Sequence, residues 1–92
     1  MSEGNKVVLF ALSTCSACKK AKALLEKEGI EYLCVELDTV DVESREKLLE
    51  KVRRYNPRET FPTIVIHGGQ EVVVGFSEEE IMHALKECGL VF

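Results

Sequence analysis

Cys15 and Cys18 stand three positions apart in the stretch Ser-Thr-Cys-Ser-Ala-Cys-Lys-Lys, residues 13–20. On a helical turn, side chains at i and i+3 share a face, with their backbones about 5–6 Å apart. That separation lies within the span of a disulfide. If Cys15 lies in the first turn of a helix, its sulfur meets unpaired backbone N–H groups and the positive end of the helix dipole. Both favour the thiolate, which is the nucleophile in sulfur chemistry. Lys19, Lys20 and Lys22 add positive charge nearby. Cys18, one turn deeper, suits the resolving role, in which a second thiol attacks a mixed disulfide.

Two other uses of such a pair are weaker. A zinc site needs four ligands, and the remaining candidates, Cys34, Cys88, His67 and His83, contain no second paired motif. Cys34 lies mid-strand and Cys88 near a helix end, positions typical of buried, inert cysteine. The two histidines read as surface or turn residues. A structural disulfide requires an oxidising compartment. The first apolar run, Val7–Leu12, is too short and too polar in its lead-in for a secretory signal, and no run approaches the length of a bilayer span. The expectation is a cytoplasmic protein with reduced thiols, in which Cys-x-x-Cys beside a βαβ pattern is a redox pair.

The elements that must position this pair follow from apolar spacing. Val7–Leu12 is a continuous apolar run, suited to a strand buried on both faces. Ser13 or Thr14 can cap a helix from about Cys15 to Glu28, with Ala17, Ala21, Leu24 and Leu25 as its inner stripe and Gly29 at its end. Tyr32–Leu37 alternates, with Leu33, Val35 and Leu37 on one face. Asp41 can start a second helix that turns Leu48, Leu49, Val52 and Tyr55 inward and stops at Asn56-Pro57. Thr63–Ile66 and Glu71–Val74 flank His67-Gly68-Gly69-Gln70, which predicts a tight hairpin. Ser77 and Glu80 form a capping box for a third helix with Ile81, Ala84 and Leu85 inward, ending near Gly89.

The order β-α-β-α-β-β-α predicts an α/β fold. The first two strands are parallel through a right-handed crossover, the hairpin adds an antiparallel pair, and helices cover both faces of a four-stranded mixed sheet. Residues 1–6 are expected to be frayed and 7–92 to form one domain. At 92 residues, 46% apolar and 30% charged, the chain has the composition of a small globular protein. A net charge of −4 offers no basic excess for nucleic acid or an anionic membrane.

Three segments, in order and covering nearly the whole chain, resemble the glutaredoxins of the thioredoxin-like fold. They are Val7–Leu25 with its Cys-x-x-Cys, Thr60-Phe61-Pro62 before the Thr63–Ile66 strand, and the Val74-Gly75-Phe76-Ser77 turn before the last helix. The resemblance implies a cis Phe61–Pro62 bond and a groove in which the Phe61 backbone pairs with substrate as an added strand, shaped by Thr60 and Pro62. It implies a thiol–disulfide oxidoreductase that acts through Cys15 and Cys18 on protein or small-molecule disulfides, as a monomer and with no tightly bound cofactor. The Cys15–Cys18 disulfide left by each cycle is reset by glutathione or a reductase.

The chain also departs from the family pattern. Ser16-Ala17 replaces the Pro-Tyr common in dithiol glutaredoxins, and Leu12 stands where the family has a lysine. Gly75-Phe76 replaces the glycine pair that contacts glutathione. It is similar to the turn of the glutaredoxin-like hydrogen donors of ribonucleotide reductase, which draw electrons from thioredoxin reductase. Arg58 falls near the family position for the glutathione glycyl carboxylate, a role that suits arginine; Arg53 and Arg54 read equally well as solvated residues. The electron donor is therefore open between glutathione and thioredoxin reductase. A second class of function, carriage of an iron–sulfur cluster by Cys15 and glutathione at a dimer interface, is implied by glutaredoxins with serine after the first cysteine.

Overall fold

The computed structural model describes residues 7–91, so the expectation for residues 1–6 lies outside the described residues. Strand β1 (Val7–Ala11) leads into helix α1 (Ser16–Lys27), followed by β2 (Leu33–Glu36), α2 (Val42–Tyr55), β3 (Thr63–Ile66), β4 (Glu71–Val74) and α3 (Glu78–Glu87). The strands form one sheet in the order β2-β1-β3-β4. β1 and β2 are parallel, whereas β1–β3 and β3–β4 are antiparallel. Leu9 lies opposite Cys34 on one side and Ile64 on the other. This is the expected thioredoxin-like sheet, with β1 at its centre.

Because a strand alternates its side chains, the apolar run of β1 serves two cores. Val7, Leu9 and Ala11 join Ile64, Ile66 and Val73 under α1 and α3. Phe10 and Val65 face the other way, with Leu37 and Val52 under α2. Burial of each of these large side chains contributes on the order of 1.5–3 kcal/mol before entropy is counted.

Helix α1 buries Cys18, Ala21, Leu24 and Leu25. Ala17, placed on the inner stripe by spacing, is only half-buried, and Cys18 takes the inward position instead. In α2 only Val52 is fully buried, while Leu48, Leu49 and Tyr55 pack partly covered against the second core. β2 is an edge strand, so Leu33 at its start is 48% exposed even though it shares the face of Val35 and Leu37.

The β3–β4 connection is longer than a two-residue hairpin. His67–Gly69 makes a short 3₁₀ turn, in which His67, Gly68 and Gly69 all have positive φ. Gly69 is required there twice over. Its φ is +114, and a Cβ would come within 2.8 Å of the Tyr55 ring that closes over the turn. At α3 the cap is as expected: Ser77 Oγ accepts the Glu80 N–H at 3.3 Å.

Candidate functional site

Cys15 lies beyond the C-terminal end of β1, as the N-cap of α1 rather than in its first turn. The extended backbone there (φ −87, ψ 117) turns its side chain back over the helix start. Its Sγ accepts the Cys18 backbone N–H at 3.2 Å, the service that Ser13 or Thr14 was expected to perform. Cys15 thus caps the helix that carries Cys18. The cap residue satisfies a helix N–H that would otherwise lack an intrahelical partner.

Ser13 does something else. Its N–H and its hydroxyl both donate to the Asp38 carboxylate, at 3.0 and 2.6 Å to the nearest oxygens. Asp38 follows β2, so this clamp ties the loop before Cys15 to the next crossover. The bonds from Ser13 hold the Asp38 carboxyl below the usual aspartate range. The sheet continues the same junction, with the Leu37 N–H donating to Ala11 O at 3.0 Å.

Cys18 is fully buried in the core under α1. Burial, followed by the hydrogen bond to Cys15, pushes its thiol up to about 12. Cys18 therefore stays protonated at neutral pH. Cys15 is half-exposed, and Cys18 lies beneath it as a buried thiol. The four cysteines are free in this structure. Lys19 and Lys20 point to solvent. Lys22 is taken up by an ion pair with Glu36 of β2 at 2.9 Å, so its charge is partly spent away from the sulfurs.

The second wall comes from the segment before β3. The Phe61–Pro62 bond is cis, and Pro62 is buried. The Phe61 carbonyl lies 4.0 Å from Cys15 Sγ. The Phe61 ring packs against both cores, which anchors the loop to each face of the sheet. Gly75, with φ +84, donates its N–H to Pro62 O at 2.9 Å, joining the turn before α3 to the proline loop. Phe76 packs on the first core behind it. Cys15, Cys18, Phe61, Pro62 and Gly75 are thus linked by direct contacts.

Thr60 and Arg58 belong to the frame of this loop rather than its face toward sulfur. The organising residue is Asn56, whose sequence position announced only a helix stop. It is buried, and its Nδ2 lies 3.0 Å from Thr60 O, Thr60 Oγ1 and Thr63 Oγ1. Its Oδ1 accepts the Arg58 N–H at 3.2 Å. Thr63 Oγ1 donates to Thr60 O at 2.8 Å. The side-chain polar atoms of Asn56 and Thr63 all have partners, which a buried polar group requires. The Arg58 side chain is exposed; the arginine that pairs here is Arg53, with Glu59 at 3.0 Å.

No group of three or more His, Cys, Asp or Glu side chains converges among the described residues. Cys15 and Cys18 supply two sulfurs, short of the four ligands of a closed zinc site. A cluster held on Cys15 would need ligands from outside the chain. No helix among the described residues is long and apolar enough to cross a membrane.

A cysteine-capped helix start facing a cis-proline loop, on a β2-β1-β3-β4 sheet, is the arrangement of the thioredoxin-like fold. Within that class, the glutaredoxin family profile matches residues 7–72, and the chain belongs to the glutaredoxin family. A glutaredoxin from Methanosarcina mazei has a solved structure that is 41% identical with a TM-score of 0.81, over 88% of this chain and 78% of that one. The glutaredoxin of Archaeoglobus fulgidus is 27% identical with a TM-score of 0.84, over 91% and 89%. Glutaredoxin 1 of Rickettsia felis is 28% identical over 88% of this chain and 80% of its own length. The match to glutaredoxin 1 of Rickettsia prowazekii is 36% identical but spans 47% of that protein. The general chemistry of the family is thiol–disulfide exchange.

Proposed function

We propose that the protein reduces disulfides of proteins or small molecules through a Cys15/Cys18 dithiol cycle. The observation that carries this reading is the placement of the two sulfurs: one half-exposed at a helix cap facing the Phe61 carbonyl, the other buried one turn below.

Cys15 thiolate attacks one sulfur of a substrate disulfide. A Cys15–substrate disulfide forms and the other half leaves as a thiolate, which takes up a proton. Cys18 then loses its proton, and its sulfur attacks Cys15 Sγ. The mixed disulfide breaks, the second half of the substrate leaves as thiol, and a Cys15–Cys18 disulfide remains. Two electrons have passed from the sulfur pair to the substrate, with one proton from Cys18 and one from solvent. Proximity favours the second step, because the resolving sulfur is held one turn away. Burial disfavours the Cys18 thiolate at neutral pH, so this step requires Cys18 to give up its proton as it attacks. A substrate chain would lie along Phe61 as an added strand, against Pro62 and the Gly75-Phe76 turn, with Arg58 and Thr60 at the edge.

External thiols or a reductase restore the dithiol. Oxidised protein is incubated either with glutathione, or with thioredoxin reductase and NADPH, and re-reduction is followed. The absence of a glycine pair at Gly75-Phe76 supports the reductase, and rapid reduction by glutathione alone would contradict that assignment. Cys15→Ser is expected to abolish disulfide reduction; full activity in that variant would overturn the cycle.

A further inference from the structure

The far end of the sheet carries a second concave feature. Cys15 follows the C-terminal end of β1, whereas a groove of about 420 Å³ opens near its N-terminal end, between α2 and the sheet. Val8, Phe10, Val35 and Val65 form its floor, and Leu48 and Tyr55 of α2 form its wall. The size falls in the range of small-molecule sites, about 300–1,000 Å³. Leu33, 48% exposed at the start of the edge strand, also lines the groove and adds apolar surface to it.

The charges around this groove have one sign. Lys51 and Arg54 line it, and no carboxylate does. Spaced i, i+3 on α2, the two cations are neighbours and repel. Neither takes part in an ion pair among the described residues, where the pairs formed are Lys22–Glu36 and Arg53–Glu59. In a chain of net charge −4, two unpaired cations beside an apolar floor are a local reversal of sign. An anionic head between them would relieve the repulsion while an apolar tail covered the floor.

We propose that this groove binds a single-chain amphiphilic carboxylate, of the medium-chain fatty-acid type, with its head at Lys51 and Arg54 and its tail along Val8, Leu33 and Val35. The occupant is a free molecule rather than a lipid in a bilayer, because the acidic chain as a whole is repelled by an anionic membrane surface. The site is separate from the cysteine pair, and its failure would leave the disulfide chemistry untouched.

Titration of ¹⁵N-labelled protein with decanoate, below the concentration at which it forms micelles, tests the proposal. Saturable amide shifts are expected in β1, the start of β2 and the second half of α2, centred on Val8, Leu33 and Arg54. Decanol and decyltrimethylammonium should bind at least about tenfold more weakly, a difference of roughly 1.4 kcal/mol. Both cations are exposed, so K51E/R54E should keep the amide pattern of the folded protein and weaken decanoate by a similar factor. K51Q/R54Q gives the same reading with a milder change if the double reversal destabilises α2. Any of four outcomes would overturn the proposal: no saturable shift, shifts spread over the whole molecule, decanol binding as well as decanoate, or response only to vesicles containing phosphatidylglycerol.

Discussion

Cys15 and Cys18 differ by three positions in sequence and by nearly everything in environment. The buried member is held as a thiol by the absence of water around it, its pKa pushed up to about 12. Alkylation with iodoacetamide, mapped by peptide mass, should therefore leave Cys18 unlabelled at neutral pH, with its reactivity rising only as the pH approaches about 12 in protein that is still folded. Early labelling of Cys18 would show that the core under α1 opens readily. Ser16, between the two, occupies the first helical position. Proline is tolerated there because that N–H has no intrahelical partner. Ser16→Pro should fold with a stability change within about 0.5 kcal/mol, measured by chemical denaturation, so any altered redox behaviour would be separable from the fold.

Two tethers hold the site's loops, and both join residues that sequence does not pair. The Ser13–Asp38 clamp spans 25 positions. Asp38 has a depressed pKa in the folded protein, so its contribution is present above the ordinary aspartate value, near 3.9, and is lost as the pH falls through its lower folded value. The Ser13 amide resonance should accordingly move on acidification below about 3.9, and Asp38→Asn should abolish that movement while keeping an acceptor oxygen for the loop. The Asn56 knot is the second tether. Asn56→Ala leaves Thr60 and Thr63 acceptors without their amide donor and should cost about 1–3 kcal/mol in denaturant unfolding, with a weaker hold on the Phe61–Pro62 loop. The elements themselves were legible, because apolar spacing marks α1, α2, α3 and each strand to within a residue or two. The cap of α1 was not. Ser13 and Thr14 are better capping types than cysteine, but Ser13 is engaged by Asp38 and Cys15 takes the cap position. Asn56 looked like punctuation because a residue before proline ends a helix, and nothing local reveals that it is buried.

Taken whole, the molecule puts a two-faced sheet between α1 and α3 on one side and a more lightly packed α2 on the other. Leu25→Ala, in the larger core, should lower stability by about 2–5 kcal/mol, whereas Leu33→Ala at the exposed edge should change it by less than about 1 kcal/mol, both read from denaturant midpoints. The order of strands and the parallel crossover were legible because chain connectivity leaves few alternatives. Convergence of Cys15, Pro62 and Gly75, from three distant segments, was legible only through the family pattern, since no spacing rule relates them. The Lys51–Arg54 groove had no signal in sequence: its residues come from β1, β2, α2 and β3.

The division of labour between the two sulfurs is most directly tested with Cys18→Ser. Incubated with glutathione disulfide and quenched in acid, this variant should accumulate one glutathione adduct, and peptide mapping should place it on Cys15. An adduct confined to Cys34 or Cys88, or none at all while the wild-type protein turns over, would contradict Cys15 as the attacking group.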